Sequence, residues 1–100
     1  MDPGIPDFII GDVVMATAGR DKGQLFYVIE LEQTYLYLVN GKDRTLEKPK
    51  RKKLKHAQKV LRSETRVAEK LRAGDKVLNS ELRKDLAYLS REQECNATGG

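Results

Sequence analysis

Hydrophobic positions in the first half of the chain come in short runs separated by turn-forming residues. Residues 13–18, VVMATA, are β-branched and small, and predict a strand entered through Gly11 and Asp12. Residues 24–31, QLFYVIEL, predict a second: Leu25, Tyr27, Ile29 and Leu31 fall on one face, Phe26 and Val28 on the other. Because both faces are apolar, the strand is expected to be buried on both sides, or to pack its outer face under a later segment. Glu32, Gln33 and Thr34 turn the chain into a third run, YLYLV at residues 35–39. Asn40 and Gly41 follow, a pair suited to the positive φ angles of a type I′ hairpin turn, with residues 44–46 beginning the returning strand.

After residue 62 the period changes. Val67 and Leu71 are four apart, and Gly74 stands where a helix would be capped. Leu82, Leu86 and Leu89 follow Asn79 and Ser80, either of which suits an N-cap. They predict an amphipathic helix of about 14 residues that stops before CNATGG. Strands this short, joined by turns this tight, suit a small β-barrel, since closure leaves no long exposed edge. The expected fold is therefore mainly β, a small barrel with a C-terminal helical extension. Residues 1–8 form a loose tail, 9–62 the barrel, 63–95 the helical extension and 96–100 a second tail.

Length and composition narrow the function. One hundred residues support one modest core, so a large enclosed active-site cavity is not expected. No run approaches the roughly 18 apolar residues of a membrane span, and no basic-then-apolar leader opens the chain, so the expected compartment is the cytoplasm, without a membrane partner. Cys95 and His56 are each the only residue of their kind, leaving no pair for a disulfide and no Cys/His zinc site. No nucleophile–base pair or carboxylate dyad stands in a recognisable context. An enzyme is not expected, nor a cofactor, a metal or a small-molecule substrate.

Charge changes the picture most. The net +4 is segregated: residues 42–62 hold ten Lys and Arg against Asp43 and Glu47, a local net of +8, and the remainder of the chain sums to −4. A polyanionic partner is implied for that segment, with nucleic acid favoured over an anionic membrane surface. Lys48, Lys50, Arg51, Lys52, Lys53, Lys55 and Lys59 put seven cations in twelve residues, and Pro49 keeps their start from being helical. Contacts from such a strip go to phosphates and are indifferent to sequence. Leu54 interrupts it and would tuck into the barrel as an anchor. Lys42 and Arg44 add charge at the hairpin, and His56 could stack on a base or bond a phosphate.

The loop GRDKG, residues 19–23, raises a separate possibility. Its glycines could let successive N–H groups converge on one anion, with Arg20 and Lys22 at the rim and Asp21 bonding the loop's own backbone. Spacing alone leaves a plain turn equally open. The aromatic residues suit a core or half-buried sheet better than stacking platforms, which favours recognition by shape and phosphate contacts.

Two longer stretches resemble a known family. GDVVMATAGRDKGQLFYVIEL, residues 11–31, looks like a KOW motif. YLYLVNGKDRTLEKPKRKKLKHAQ, residues 35–58, resembles the hairpin and Lys-His basic strand of the bacterial KOW-domain RNA-binding proteins, relatives of the KOW-barrel large-subunit ribosomal proteins of archaea and eukaryotes. LNSELRKDL, residues 78–86, is similar to the helix that follows the barrel in these small proteins. The resemblance implies an SH3-like barrel that binds RNA, ribosomal RNA or the ribosome foremost, with ribosomal proteins as neighbours. Arg20, Asp21, Lys22 and Gly23 match the KOW loop; Lys48, Lys50, Lys52, Lys53, Lys55 and His56 match the basic strand. Asn40 and Ala57 depart from the pattern, standing where Asp and Leu are expected. The expected RNA contacts are Arg20, Lys22, Gly23, Lys42, Arg44, Lys48, Lys50, Arg51, Lys52, Lys53, Lys55, His56 and Lys59. The alternative is a protein-interaction module, docking on the transcription or translation machinery through its barrel and its Val67/Leu71 and Leu82/Leu86/Leu89 stripes. A docking module has no need of so dense a basic segment.

Overall fold

Five strands precede two helices: β1 (Asp12–Ala16), β2 (Leu25–Leu31), β3 (Tyr35–Val39), β4 (Lys50–Lys53), β5 (Ala57–Arg62), α1 (Arg66–Ala73) and α2 (Asn79–Gly99). The structure, a computed structural model, describes residues 8–99, with side chains through residue 91. Residues 1–7 of the expected tail and Gly100 lie outside the described residues. The strands make one antiparallel sheet in the order β4-β3-β2-β1-β5.

The sheet is rolled, and backbone bonds show how. In a flat sheet Thr34, before β3, and Thr17, after β1, lie two strands apart and at opposite ends, about 20 Å distant. A three-residue 3-10 turn, Leu54–His56, joins β4 to β5 and touches both. The Leu54 N–H bonds the Thr34 carbonyl at 3.0 Å, and the His56 carbonyl accepts the Thr17 N–H at 2.9 Å. Two residues of chain span at most ~7.6 Å, so the sheet must fold over itself to bring these points together.

Rolling gives the sheet an inner and an outer face, each with its own core. Inside, Val14, Ala16, Phe26, Val28, Leu36 and Leu38 pack with Phe8, and Leu54 and Ala57 close against them. Phe8 is buried against this core, where a loose tail was expected. Outside, Val13, Tyr27 and Val39 meet Val67, Ala68 and Val77 and the α2 leucines Leu82, Leu86 and Leu89. The helical extension is thus the cover that the two-faced β2 required. One position departs: the β2–β3 register shifts between Val28 and Glu30, and this bulge sets Leu31 opposite Leu36, 40% exposed, and not in line with Leu25, Tyr27 and Ile29.

Helix α1 begins at Thr65, whose hydroxyl accepts the Ala68 N–H at 3.3 Å, and ends at Gly74 in the left-handed conformation, as the sequence predicted. Helix α2 corrects two expectations. It continues to Gly99, past the expected stop at Cys95 and through residues 96–99. Its first turn is closed by the Leu78 backbone, not by an Asn79 or Ser80 side chain. The Leu78 carbonyl accepts from Glu81 and Leu82, and the Glu81 carboxylate accepts the Leu78 N–H at 2.9 Å. That N–H, then the Lys70 ammonium 3.0 Å away, holds the Glu81 carboxyl below its ordinary range. Asn79 turns outward from the cap: its Oδ1 accepts the Leu46 N–H at 2.9 Å and its Nδ2 donates to Glu47 at 3.0 Å.

The Asn40–Gly41 connection is not a type I′ turn. Among the described residues only glycines have positive φ, so Asn40 does not adopt the angle that turn needs. Its side chain instead accepts the Lys42 and Arg44 N–H groups at 2.9 and 3.0 Å, widening the hairpin into a loop. Residues 44–46 therefore form no strand; a lone bridge pairs Thr45 with Lys48, and β4 begins at Lys50.

A polar knot ties the helices to the sheet. The Tyr27 hydroxyl lies 2.9 Å from Ser63 Oγ and 3.2 Å from Thr65 Oγ1 and donates to Asp85; Thr65 Oγ1 also donates to Asp85 at 2.8 Å. Burial and then the Asp85 bond push the Tyr27 phenol up from 10.0 to about 12. The knot's contribution is therefore fully present below pH 10 and is lost as pH rises through about 12. Tyr27→Phe leaves Ser63 and Asp85 short of a buried partner, and is expected to cost about 1–3 kcal/mol in thermal unfolding at neutral pH. It should also abolish a phenolate absorbance step expected near pH 12 in wild type. Unchanged stability together with a surviving step would refute this role.

Among the described residues, no helix is long and apolar enough to cross a membrane.

Candidate nucleic-acid interface

The basic strip is not one strand. Residues 48–59 are divided among the approach to β4, β4 itself, the 3-10 turn and the start of β5, which is the opposite edge of the sheet. Register then sorts the side chains. Lys50 and Lys52 stand opposite Leu38 and Leu36, on the inner face; Arg51 and Lys53 stand opposite Tyr37 and Tyr35, on the outer face.

Four of the expected phosphate contacts have structural duties, and each corrects the sequence expectation. Lys52 is buried, and its ammonium donates to the Ala18 carbonyl at 2.8 Å, bracing the β1–β2 loop against β4. Lys59 turns toward Asp12, 3.5 Å away, and over the Phe8 ring at 5.6 Å. Asp12 is fully buried and also accepts from the Ile9 N–H at 2.9 Å and Arg62 Nε at 3.1 Å, so Lys59 helps neutralise a carboxylate that the fold encloses. Arg44 reaches across to Asp21 at 3.4 Å, clamping the hairpin loop to the β1–β2 loop, while its Nε is buried without a hydrogen-bond partner. Arg51 is partly exposed but engaged: its guanidinium lies 3.8 Å from the centroid of the Tyr35 ring, and its Nε is 3.4 Å from Glu32. Nearby, the Tyr37 phenol is pushed up from its ordinary value by desolvation, then by Glu32.

The GRDKG loop holds itself, too. The N–H groups of Lys22, Gly23 and Gln24 bond the carbonyls of Gly19, Ala16 and Asp21 at 3.2, 2.8 and 2.9 Å. The Lys22 and Gly23 donors are thus spent within the protein and are not available to an anion. Asp21, expected to bond its own loop, is buried and pairs with Arg44. Gly23 has φ +90° with open space where a Cβ would stand, so glycine serves the turn there and not a close approach. Arg20 and Lys22 extend from this loop into solvent.

Removing the engaged side chains leaves a defined set. Among the described residues, Arg20, Lys22, Lys42, Lys48, Lys50, Lys53 and Lys55 make no side-chain ion pair; all are exposed except the half-buried Lys50. His56 is half-buried, fixed through its carbonyl to Thr17. The β1–β2 loop organises these cations: Thr17 bonds the 3-10 turn, Ala18 is held by β4, and Asp21 by the hairpin loop. Basic segments between residues 44 and 56 thus converge on one short loop more than 20 residues earlier in the chain.

Sequence reasoning missed the contribution of α2. Arg83 donates to the Gly41 carbonyl at 3.1 Å, and with Lys42, Asn40, Gly23 and Gln24 it lines a shallow groove of about 440 Å³ whose floor is Leu86 and Ala87. Periodicity placed Arg83 on the polar side of its helix and carried no signal of what it faced. Of the stripes offered by the docking alternative, Val67, Leu82, Leu86 and Leu89 are at most 8% exposed and Leu71 is half-buried. The chain matches no protein-family model and no curated protein.

Proposed function

We propose that the protein is a non-enzymatic RNA-binding protein with an SH3-like KOW barrel, acting on ribosomal RNA or the ribosome. The barrel reading is supported by the strand order, in which the last strand returns to pair with the first, and by the roll that brings Thr34 near Thr17. The functional reading rests on one observation above all: seven cations without counterions among the described residues are carried by the β1–β2 loop and by segments that meet it. Concentrating like charge is unfavourable unless a polyanion neutralises it. Phosphates fill that role, and the shallow, open relief favours a backbone lying across the surface over a small molecule entering it.

Co-sedimentation with ribosomal particles at low and at high salt tests this reading. Wild type should pellet with the large particle in low salt and be released as salt rises. Protein that stays in the supernatant in low salt, or pellets independently of salt, contradicts it.

A further inference from the structure

We infer that the pocket beside Arg51 binds an unpaired RNA base, and that it selects guanine. The inference rests on the RNA-binding proposal and adds to it a base-reading element that a phosphate-binding strip lacks. The pocket, about 400 Å³, is lined by Glu32, Gln33, Thr34, Tyr35 and Arg51, within the usual size range for small-ligand sites. Of the cations on β4, Arg51 is the one held flat. Tyr35 supports one face of its guanidinium at 3.8 Å and Glu32 tethers its Nε at 3.4 Å, yet its side chain is 55% exposed. A planar group fixed on one side and open on the other is a stacking platform for a base.

Charge distinguishes base from phosphate here. A phosphate entering the pocket would be repelled by the Glu32 carboxylate; a neutral base would not. The same carboxylate discriminates among bases by its hydrogen-bonding chemistry. It only accepts, and of its four lone-pair positions Arg51 and Tyr37 use two. Guanine alone presents two adjacent donors on its Watson–Crick edge, N1–H and the N2 amino group. Adenine and cytosine alternate donor with acceptor, and uracil flanks its single donor with two acceptors. Glu32, 43% exposed, keeps two lone-pair positions for a base stacked on Arg51 while it still holds Arg51 and Tyr37, with Gln33 and Thr34 at the rim. Lys53 stands opposite Tyr35 in the β3–β4 register, so a strand held there by a phosphate passes the pocket.

Four RNA hairpins that share one stem and differ in a single unpaired loop base test this, read by fluorescence anisotropy. Wild type should favour the guanine loop by about tenfold. Glu32→Gln should reduce that preference to about twofold while leaving the salt dependence intact. Arg51→Lys keeps the charge but loses the plane, and should weaken the guanine complex about fivefold with an unchanged salt slope. Equal, salt-sensitive affinity for all four hairpins, or full preference retained in Glu32→Gln, overturns the guanine pocket and leaves RNA binding standing. No binding to any hairpin overturns both.

Discussion

Gly41→Ala is expected to lower the melting temperature by roughly 15 °C, the largest loss of stability from any single methyl group in the molecule. Two effects combine. Gly41 has φ +77°, a conformation that costs an L-residue about 1–2 kcal/mol. The added Cβ would also land on the Asn79 carbonyl and press on Leu82 and Arg83, so the first turn of α2 must lift from the hairpin loop. Lifting it strains the Asn79 bonds to Leu46 and Glu47 and the Arg83 bond to Gly41. The total should reach about 3 kcal/mol or more. Gly23→Ala is the matched control, because its φ is +90° but nothing lies within 4 Å of the new Cβ. It should lose only the conformational part, about 5 °C. Equal losses in circular-dichroism melts of the two variants would mean that α2 does not seat on this loop.

The largest effect on binding is expected from Lys48/Lys53/Lys55→Ala. All three are exposed and unpaired among the described residues, so the triple variant should fold like wild type, within about 0.5 kcal/mol. At about 0.1 M salt its affinity for structured ribosomal RNA should fall by roughly 500-fold, because each of the three lost phosphate contacts forfeits nearly a tenfold counterion-release factor. Arg20→Ala should cost less, about tenfold, as a single contact. Lys52→Ala separates structure from contact. Its ammonium braces Ala18, so that variant should lose thermal stability, which the triple variant retains. Electrophoretic mobility shift with parallel melts checks both halves. A triple variant that binds like wild type would remove the basic surface from the account.

Much of this architecture was legible in the residues, for identifiable reasons. The two apolar faces of β2 demanded two covers, and the Leu82/Leu86/Leu89 stripe supplied one of them. Gly74 capped α1 because little else suits a left-handed position. What failed were choices between partners that only the folded chain brings together. Asn40 has both a turn-forming backbone and a hydrogen-bonding side chain, and the side chain prevailed by capturing two N–H groups. Asn79 was a good cap left unused because Leu46 and Glu47 competed for its amide. Charge density read as one strip was dissected by β periodicity: alternate residues of β4 face opposite sides, so Lys52 was buried while Lys53 stayed exposed. Asp12 and Asp21, innocuous in the sequence, claimed Lys59 and Arg44. The stacking of Arg51 on Tyr35 depends on the β3–β4 register, and a register displaced by one residue would have put that arginine on the other face.

The central claim is that unpaired cations gathered around the β1–β2 loop hold RNA by its phosphates. Its most direct test is the slope of log K against log salt for wild type on structured ribosomal RNA. Six of the seven cations in contact predict a slope of about −4 to −5, and the triple variant should be shallower by about 2 to 3. A slope near zero, or one that the triple variant leaves unchanged, would contradict the account.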